Sequence, residues 1–131
     1  MKTIIASGPV ILKEGKILVA KDDKDPFYKL PGGRVKEGES LEEACTKRTK
    51  EETNADIKIL KSLMPNILYE NPKTKEKMII VLINYLTELK NPEEIKPISP
   101  TTDIKWLSIE NIKQGKGNPS PNVQELIKKN F

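Results

Sequence analysis

The sequence contains no histidine and a single cysteine. Without imidazole, the chain can form neither a histidine-ligated zinc site nor a Ser–His or Cys–His catalytic pair. Cys45 has no second cysteine with which to form an intramolecular disulfide, and nothing indicates an oxidising compartment. We predict that Cys45 is a small core residue, not a nucleophile. Any chemistry must therefore depend on carboxylates, lysines, hydroxyls and a metal ion.

Arginine, aromatic residues and long apolar runs are also scarce. Only two of the 23 cationic side chains are arginines, Arg34 and Arg48. Aromatic residues make up 5%, and no basic run is interleaved with them, so we expect no nucleic-acid partner. No apolar run has the length of a membrane span, and the N-terminus lacks the apolar core of a signal peptide. We expect a cytoplasmic protein with no membrane partner.

The 131 residues, of which 36% are hydrophobic and 32% charged, predict one globular domain covering residues 1–131. The net charge of +4 suits an anionic small-molecule ligand such as a nucleotide. A lysine-rich solvated surface would give the same charge. The sequence leaves a monomer and a homodimer equally open.

Hydrophobic patterning predicts an α/β fold. Strands are expected at 2–12 with a break or bulge at Gly8-Pro9, and at 17–20, 27–30, 57–69 (irregular at Pro65), 78–86 and 104–107. Helices are expected at 41–53, at 109–113 after Ser108, and at 123–129 after Asn122, with Val123, Leu126 and Ile127 facing inward. Residues 22–26 are predicted to be a solvated turn. The apolar strand at 78–86 needs cover on both faces, so we expect a mixed sheet between two helical layers.

Residues 31–54 combine a glycine loop with the helix at 41–53. Ser40 and Glu43 form a capping box at its start, and Asn54 suits the left-handed residue after its end. At about 100° per residue, one arc of this helix is predicted to face inward. Its members are Leu41, Ala44, Cys45, Arg48 and Glu52, with Glu51 at the edge.

Charged residues on an inward arc need partners, and two interpretations compete. In the first, Arg48 and Glu52 form an ordinary i,i+4 ion pair on a half-exposed helix end. In the second, the carboxylates bind a hard cation beside the backbone of Gly32 and Gly33.

The stretch from Pro31 to Asn54 resembles the signature of the Nudix hydrolase (MutT-like) family: Gly, five residues, Glu, seven residues, then Arg-Glu-apolar-any-Glu-Glu-any-Gly-apolar. The matching positions are Gly33, Glu39, Glu51 and Glu52. Four positions depart from it: Lys47 replaces Arg, Arg48 replaces Glu, Thr49 replaces an apolar residue and Asn54 replaces Gly. The segment 103–108 also looks like the acidic-x-x-Trp-apolar-Ser segment found late in these domains.

The resemblance implies a Nudix-like α/β/α sandwich, a mixed β-sheet with the motif helix on one face and the C-terminal helix on the other. It also implies hydrolysis of a phosphoanhydride in a nucleoside diphosphate linked to another group, with Mg²⁺ or Mn²⁺ as cofactor. The implied metal ligands are Gly33, Glu39, Glu51 and Glu52, of which Glu51 and Glu52 are also the catalytic candidates. The implied substrate-binding residues are Arg34, Lys47 and Arg48.

Several alternatives remain open at the level of sequence. Glu39 is a metal ligand, a residue that holds the backbone amides of the loop, or a partner of the helix N-terminus. Arg34 either meets phosphate or is solvated. Three aromatic residues are candidates for stacking on a base, although a core or sheet-surface position is the simpler expectation for each: Tyr28, Tyr69 and Trp106. Because Arg48 replaces a carboxylate, the alternative to an enzyme is a catalytically inactive Nudix-like module that binds a nucleotide or a protein partner.

Overall fold

The computed structural model describes residues 1–131. Seven strands and three α-helices follow one another along the chain. The strands are β1 (Thr3–Lys13), β2 (Lys16–Asp22), β3 (Gly33–Arg34), β4 (Ile57–Ser62), β5 (Asn66–Glu70), β6 (Lys77–Leu89) and β7 (Thr101–Ser108). The helices are α1 (Leu41–Thr53), α2 (Ile109–Lys113) and α3 (Pro121–Asn130), and a short 3₁₀ turn covers Pro92–Glu94.

The strands form one mixed sheet in the order β4-β6-β1-β2-β7. Strands β1 and β6 run parallel in its centre, paired from Thr3 and Ile79 to Ile11 and Thr87, and every other strand pair is antiparallel. The short β3 pairs with β1, and β5 pairs with β6. The predicted mixed sheet is therefore confirmed.

Helices cover both faces of the sheet. Neighbouring residues of a strand point to opposite sides, so each face has its own apolar side chains to bury. On one side, Ile11 and Leu18 pack in a buried cluster with Cys45 of α1. On the other, Val10 and Val19 pack with residues of α2 and α3, namely Ile112, Val123, Leu126 and Ile127. The fold is the predicted α/β/α sandwich, with α1 and α3 on opposite faces.

Helix α1 has the predicted boundaries because both capping signals operate. The Ser40 hydroxyl accepts a hydrogen bond from the Glu43 backbone N–H at 3.0 Å. Asn54 adopts φ 61°, and its N–H donates to the Lys50 carbonyl. Ser108 likewise caps α2 as predicted, accepting from the Asn111 N–H.

Three predicted elements are wrong in detail. Gly8-Pro9 does not interrupt β1, because Pro9 pairs with Tyr85 within the continuous parallel ladder. Residues 27–30 form no strand and make only isolated bridges, from Lys29 to Ala20 and from Tyr28 to Pro119. Helix α3 is capped by Ser120, not Asn122, with Pro121 in its first turn, where the missing proline N–H costs nothing.

Two burial predictions are also wrong. Leu41, expected inward, is exposed at the start of α1. Asp25, expected in a solvated turn, has a side chain only 1% exposed and lies in ion pairs with Lys29 and Lys73 at 3.2 and 2.9 Å. No helix in the structure is both long enough and apolar enough to cross a membrane.

Candidate active site

The glycine loop lies directly against β1, and two glycines make this approach possible. A Cβ on Gly32 would stand 2.3 Å from the Ser7 carbonyl oxygen, and Gly32 adopts φ +113°. A Cβ on Gly8 would stand 2.3 Å from the Pro31 carbonyl oxygen. Because neither glycine has a Cβ, the two backbones can approach this closely, and the chain from Pro31 enters β3 alongside the last turns of α1.

Glu52 connects the end of α1 to this loop. Its Oε1 accepts a hydrogen bond from the Gly32 N–H at 2.9 Å, and no protein group donates to its Oε2. Burial raises the pKa of Glu52 to about 7, an effect that the Gly32 hydrogen bond only partly offsets. A cation beside this carboxylate would favour its charged form and supply the missing partner.

Arg48 lies one turn earlier and occupies the space between the loop and the helix. The residue is 9% exposed, and its Cγ would lie 3.7 Å from a Cβ built on Gly33. Its Nη2 donates to both carboxylate oxygens of Glu39 at 2.7 and 2.8 Å. Its Nη1 donates to Glu51 Oε1 at 3.2 Å. This is a partly buried, charge-assisted network in which Nη2 is shared between the two oxygens of Glu39 and Nη1 serves Glu51.

The expected pairing of Arg48 with Glu52 is therefore wrong, whereas its contact with Glu51 is present. Glu52 bonds to Gly32 because the loop supplies a backbone donor that helical spacing alone does not reveal. Glu39 was missed as the main partner of Arg48, because nine residues and a helix start separate the two, and only the folded loop brings them together.

The four predicted metal ligands do not converge as one set. No group of three or more acidic, cysteine or histidine side chains is close enough together to hold an ion. Glu39 is already engaged by Arg48 and by the Lys36 N–H at 2.9 Å, and the Lys36 N–H, with Arg48 and Lys47, lowers the pKa of its carboxyl. Glu51, whose side chain is 58% exposed, and Glu52 remain on the last turns of α1. Their oxygens, with the Gly33 carbonyl, are donors of the kind that Mg²⁺ accepts while retaining several waters.

The three predicted substrate-binding residues have different surroundings. Arg34 is exposed on β3, and its guanidinium makes no hydrogen bond or ion pair within the protein. Lys47 is also exposed, with Nζ 3.5 Å from Glu39 Oε2. Arg48 is committed to carboxylates. Arg34 is thus the cation of this group that is free to meet an anion, and Lys47 is exposed but lies beside Glu39.

A cavity of about 220 Å³ opens beside the glycine loop, between the even-numbered face of β6 and the start of α3. Its walls are mostly apolar, and its polar lining residues are Ser7, Lys29, Asn84, Ser120 and Asn122, of which Ser7 donates its hydroxyl hydrogen to the Leu41 carbonyl. An engineered cavity of about 150 Å³ accommodates benzene, so this one has room for a single aromatic ring system. Gly32 and Gly33 form part of its wall, which places the cavity next to the groups around Glu52.

None of the three candidate aromatic residues lines this cavity. Tyr28 is buried, as the core interpretation predicted, and its hydroxyl donates to Asp103 in a short hydrogen bond that raises its pKa. Tyr69 is exposed, and Trp106 is half-buried on β7 against the α1-side cluster. Burial also raises the pKa of the Cys45 thiol to about 12, which agrees with the predicted core role.

The sequence did not reveal Lys29 or Asn84 as residues of a site. Each lies in a largely apolar stretch whose composition predicts a strand and nothing more. The one available signal was the polar Asn84 within the buried run 78–86, since a buried amide needs hydrogen-bonding partners.

Comparison with known proteins places this geometry in a family. Residues 1–126 match the family described as the NUDIX domain. An ADP-ribose pyrophosphatase of Methanocaldococcus jannaschii is 30% identical over 111 residues, which cover 82% of this chain and 63% of that protein. The chain thus spans less than two thirds of the length of the curated relatives it matches.

Solved structures share the fold at low sequence identity. A MutT NUDIX hydrolase from Burkholderia pseudomallei superimposes with a TM-score of 0.80 at 18% identity, covering 100% of both chains. A MutT protein from Methanosarcina mazei Go1 gives a TM-score of 0.78 at 21% identity, covering 97% of this chain and 91% of that one. The family match over nearly the whole chain, with the glycine loop and motif helix in place, shows that this chain belongs to the NUDIX family.

Proposed function

We propose that the chain is a metal-dependent pyrophosphohydrolase that cleaves the phosphoanhydride of a nucleoside diphosphate linked to another group. The observation that carries the proposal is the position of Glu52. A half-buried carboxylate with one unpartnered oxygen lies at the backbone of the glycine loop, and that loop also lines a cavity sized for one ring system.

Glu51, Glu52 and the Gly33 carbonyl would hold the ion, Mg²⁺ or Mn²⁺. When bound, such an ion neutralises phosphate charge and lowers the pKa of coordinated water. The protein's own contribution is positional: Gly32 fixes Glu52 through its N–H, and Arg48 fixes the orientation of Glu51. Because Arg48 holds Glu39 away from this role, the site offers two carboxylates where the family signature has a larger set.

Cations near the cavity suit the phosphates of such a substrate. Lys29 is the one charged side chain that lines the cavity, and Arg34 follows Gly33 with its guanidinium free. A base in the cavity and phosphates near Lys29 and Arg34 would direct the anhydride toward Glu51 and Glu52. Lys47 is a further exposed cation on the same helix as these glutamates.

One observation favours a second candidate, a nucleotide-binding module without turnover. Arg48 adds a positive charge where the signature has a negative one, and it engages two of the three glutamates of the motif. A protein with this arrangement would keep the cavity and its cations while binding metal ions weakly.

The test is a substrate panel analysed by ³¹P NMR. The panel includes ADP-ribose, because one relative is named for it, together with nucleotide sugars, dinucleoside polyphosphates and nucleoside triphosphates. We expect Mg²⁺ or Mn²⁺ to support cleavage of at least one compound, and excess chelator to stop it. Absence of cleavage with either metal would overturn the hydrolase proposal, and nucleotide binding in that case would establish the second candidate.

A further inference from the structure

Asn84 is a buried amide whose hydrogen-bonding capacity is only partly used. The residue is 4% exposed, in the middle of β6, next to Gly8 in the parallel ladder. Its Nδ2 donates to the Gly8 carbonyl at 3.2 Å. A carbonyl oxygen cannot donate, so this bond fixes the amide orientation and turns Oδ1 away from Gly8.

The Oδ1 atom is left facing the cavity. No protein group donates a hydrogen bond to it. Every polar side-chain atom that is fully enclosed in the structure has a hydrogen-bond partner, so Oδ1 is not fully enclosed. Because Asn84 lines the 220 Å³ cavity, its Oδ1 is open to that space. Water can bond to an acceptor that is open to the cavity, so a ligand that displaces this water must donate a hydrogen bond in its place or lose affinity.

The surroundings of Asn84 restrict what that ligand can present. Its neighbours on the same sheet face are Ala6, Ile80 and Leu82, which offer no side-chain hydrogen bond. The ring N–H of uracil or thymine is flanked by two carbonyl oxygens, which would be left against these apolar side chains. An exocyclic amino group projects from the ring, so it can donate a hydrogen bond to Oδ1 without placing a carbonyl oxygen against these side chains on each side.

Other polar groups in the cavity lie toward α3. Asn122 Oδ1 accepts from Asn66 Nδ2 at 3.2 Å, so the Asn122 Nδ2 donors remain available. The Ser120 oxygen accepts from the Val123 N–H at 3.2 Å, which leaves its hydroxyl hydrogen free. The cavity therefore combines one acceptor on the sheet with donors at the start of α3, a pattern that complements an aminated heterocycle with ring nitrogen acceptors.

We infer that Asn84 is a specificity-determining residue that selects nucleobases bearing an exocyclic amino group, through acceptance of an amino hydrogen by its Oδ1. The inference rests on the proposed function in one respect only, that the ligand is a nucleotide. It does not require that the nucleotide is hydrolysed.

The test compares nucleotides that differ by one amino group. Dissociation constants are measured by calorimetry without divalent metal for three pairs: ADP and purine riboside 5′-diphosphate, CDP and 2-pyrimidinone riboside 5′-diphosphate, and GDP and IDP. In the wild type we expect at least one aminated nucleotide to bind about tenfold more tightly than its partner. Equal affinities in all three pairs, or no binding of any, would overturn the inference.

Substitution then tests whether Asn84 is the residue that recognises the amino group. In Asn84→Ala we expect the affinity ratio of the selected pair to fall to within about twofold of unity. The matched control is Asn91→Ala, which also removes a buried asparagine, 7% exposed, but one that binds Asp56 and Asn54 outside the cavity. Asn91→Ala should retain the ratio. Persistence of the ratio in a folded Asn84→Ala protein would contradict the assignment.

A second measurement covers the case in which Asn84→Ala does not fold, since Asn84 also binds Gly8. In the wild type, the ¹³Cγ resonance of Asn84 should shift on binding the aminated nucleotide and not with its partner lacking the amino group. An unchanged resonance with both would overturn the inference. Loss of hydrolysis in the substrate panel would leave these binding results unaffected, so the two proposals fail independently.

Discussion

Arg48 is the residue that most changes the character of this site. Its guanidinium satisfies both oxygens of Glu39 and one of Glu51, and its stem packs on Gly33. These contacts join two points of the segment before α1, Gly33 and Glu39, to the helix itself. Arginine suits this task better than lysine because its two terminal nitrogens reach two carboxylates, Nη2 that of Glu39 and Nη1 that of Glu51.

Substitution of Arg48 by Glu tests whether this cation competes with a metal ion. In Arg48→Glu, Glu51 loses its cationic partner, Glu39 keeps only Lys47, and a third carboxylate is added beside them. We expect Mg²⁺ affinity, measured by calorimetric titration, to rise at least about tenfold, because a larger anionic donor set favours a hard cation. Without metal, the variant should unfold at a lower urea concentration than the wild type, because the new carboxylate lies beside Glu39 and Glu51 and repels them.

The control for net charge is Lys50→Glu, the same charge change on the exposed side of α1. Lys50 pairs only with Asp56 among the acidic side chains, at 2.9 Å, so its substitution should leave Mg²⁺ affinity unchanged. Equal Mg²⁺ affinity in Arg48→Glu and the wild type would mean that Arg48 does not oppose metal binding.

At the scale of elements, a buried carboxylate joins two loops near the cavity. Asp25, in the loop after β2, binds Lys73 in the turn between β5 and β6, while Phe27, Lys29 and Pro72 of the same two loops line the cavity. Burial disfavours the charge of Asp25, but the Asp22 N–H, Lys73 and Lys29 together outweigh it and lower the pKa of this carboxyl. The hydrogen bond to Asp25 raises the pKa of Lys73.

The sign of these shifts sets the pH dependence of stability. A carboxyl with a lowered folded-state pKa stabilises the fold above its ordinary pKa of 3.8, and this stabilisation is lost as the pH falls through the folded-state value. Asp25→Asn should therefore reduce the free energy of unfolding by about 1–3 kcal/mol at pH 7. The difference from wild type should shrink as the pH is lowered below 3.8.

Urea unfolding of both proteins at pH 7 and at stepwise lower pH measures this difference. Asp23→Asn is the matched control, since Asp23 is exposed in the same loop and makes no ion pair. It should change stability by less than about 0.5 kcal/mol at every pH. A deficit in Asp25→Asn that stays constant on acidification would show that the charge of Asp25 is not what stabilises the loops.

The elements that the sequence predicted well are those whose signals are local. The bounds of helix α1 follow from its sequence because the Ser40 side chain and the Asn54 backbone act on adjacent backbone groups, although the Glu43 half of the capping box does not form. The stretch 27–30 was wrongly predicted as a strand, because its composition suits one but its backbone bonds go to β2 and to Pro119 separately. Ser120 was missed as a cap because Pro121 obscured the start of α3.

The same distinction holds for the site. Helical periodicity predicted the inward position of Arg48 and Glu52, and the motif predicted the glycine loop beside them. Their actual partners, Glu39 and Gly32, depend on how the loop folds back, which no spacing rule specifies. Asp25 was misjudged for the same reason, because Lys73 reaches it from 48 residues away.

At the scale of the whole molecule, the sheet packs against both helical layers and also positions the residues of the site. The parallel pair of β1 and β6 brings Gly8 beside Asn84, and the absence of a Gly8 side chain admits the loop that carries Gly32 to Glu52. The cavity lies on the α3 side of the sheet, the two available carboxylates lie on α1 at the other side, and the glycine loop touches both. This arrangement supports a phosphoanhydride substrate whose base and phosphates are held by different elements.

The central claim is that Glu52 is the essential carboxylate of this site, and its substitution tests the claim most directly. Turnover of the substrate found in the panel is measured with saturating Mg²⁺ for the wild type, Glu52→Gln and the control Glu43→Gln, which changes an exposed carboxylate at the far end of α1. All three proteins should show the same circular dichroism spectrum. We expect Glu52→Gln to lose at least about 10²-fold in turnover, while Glu43→Gln stays within twofold of the wild type. Wild-type turnover by a folded Glu52→Gln protein would contradict the account.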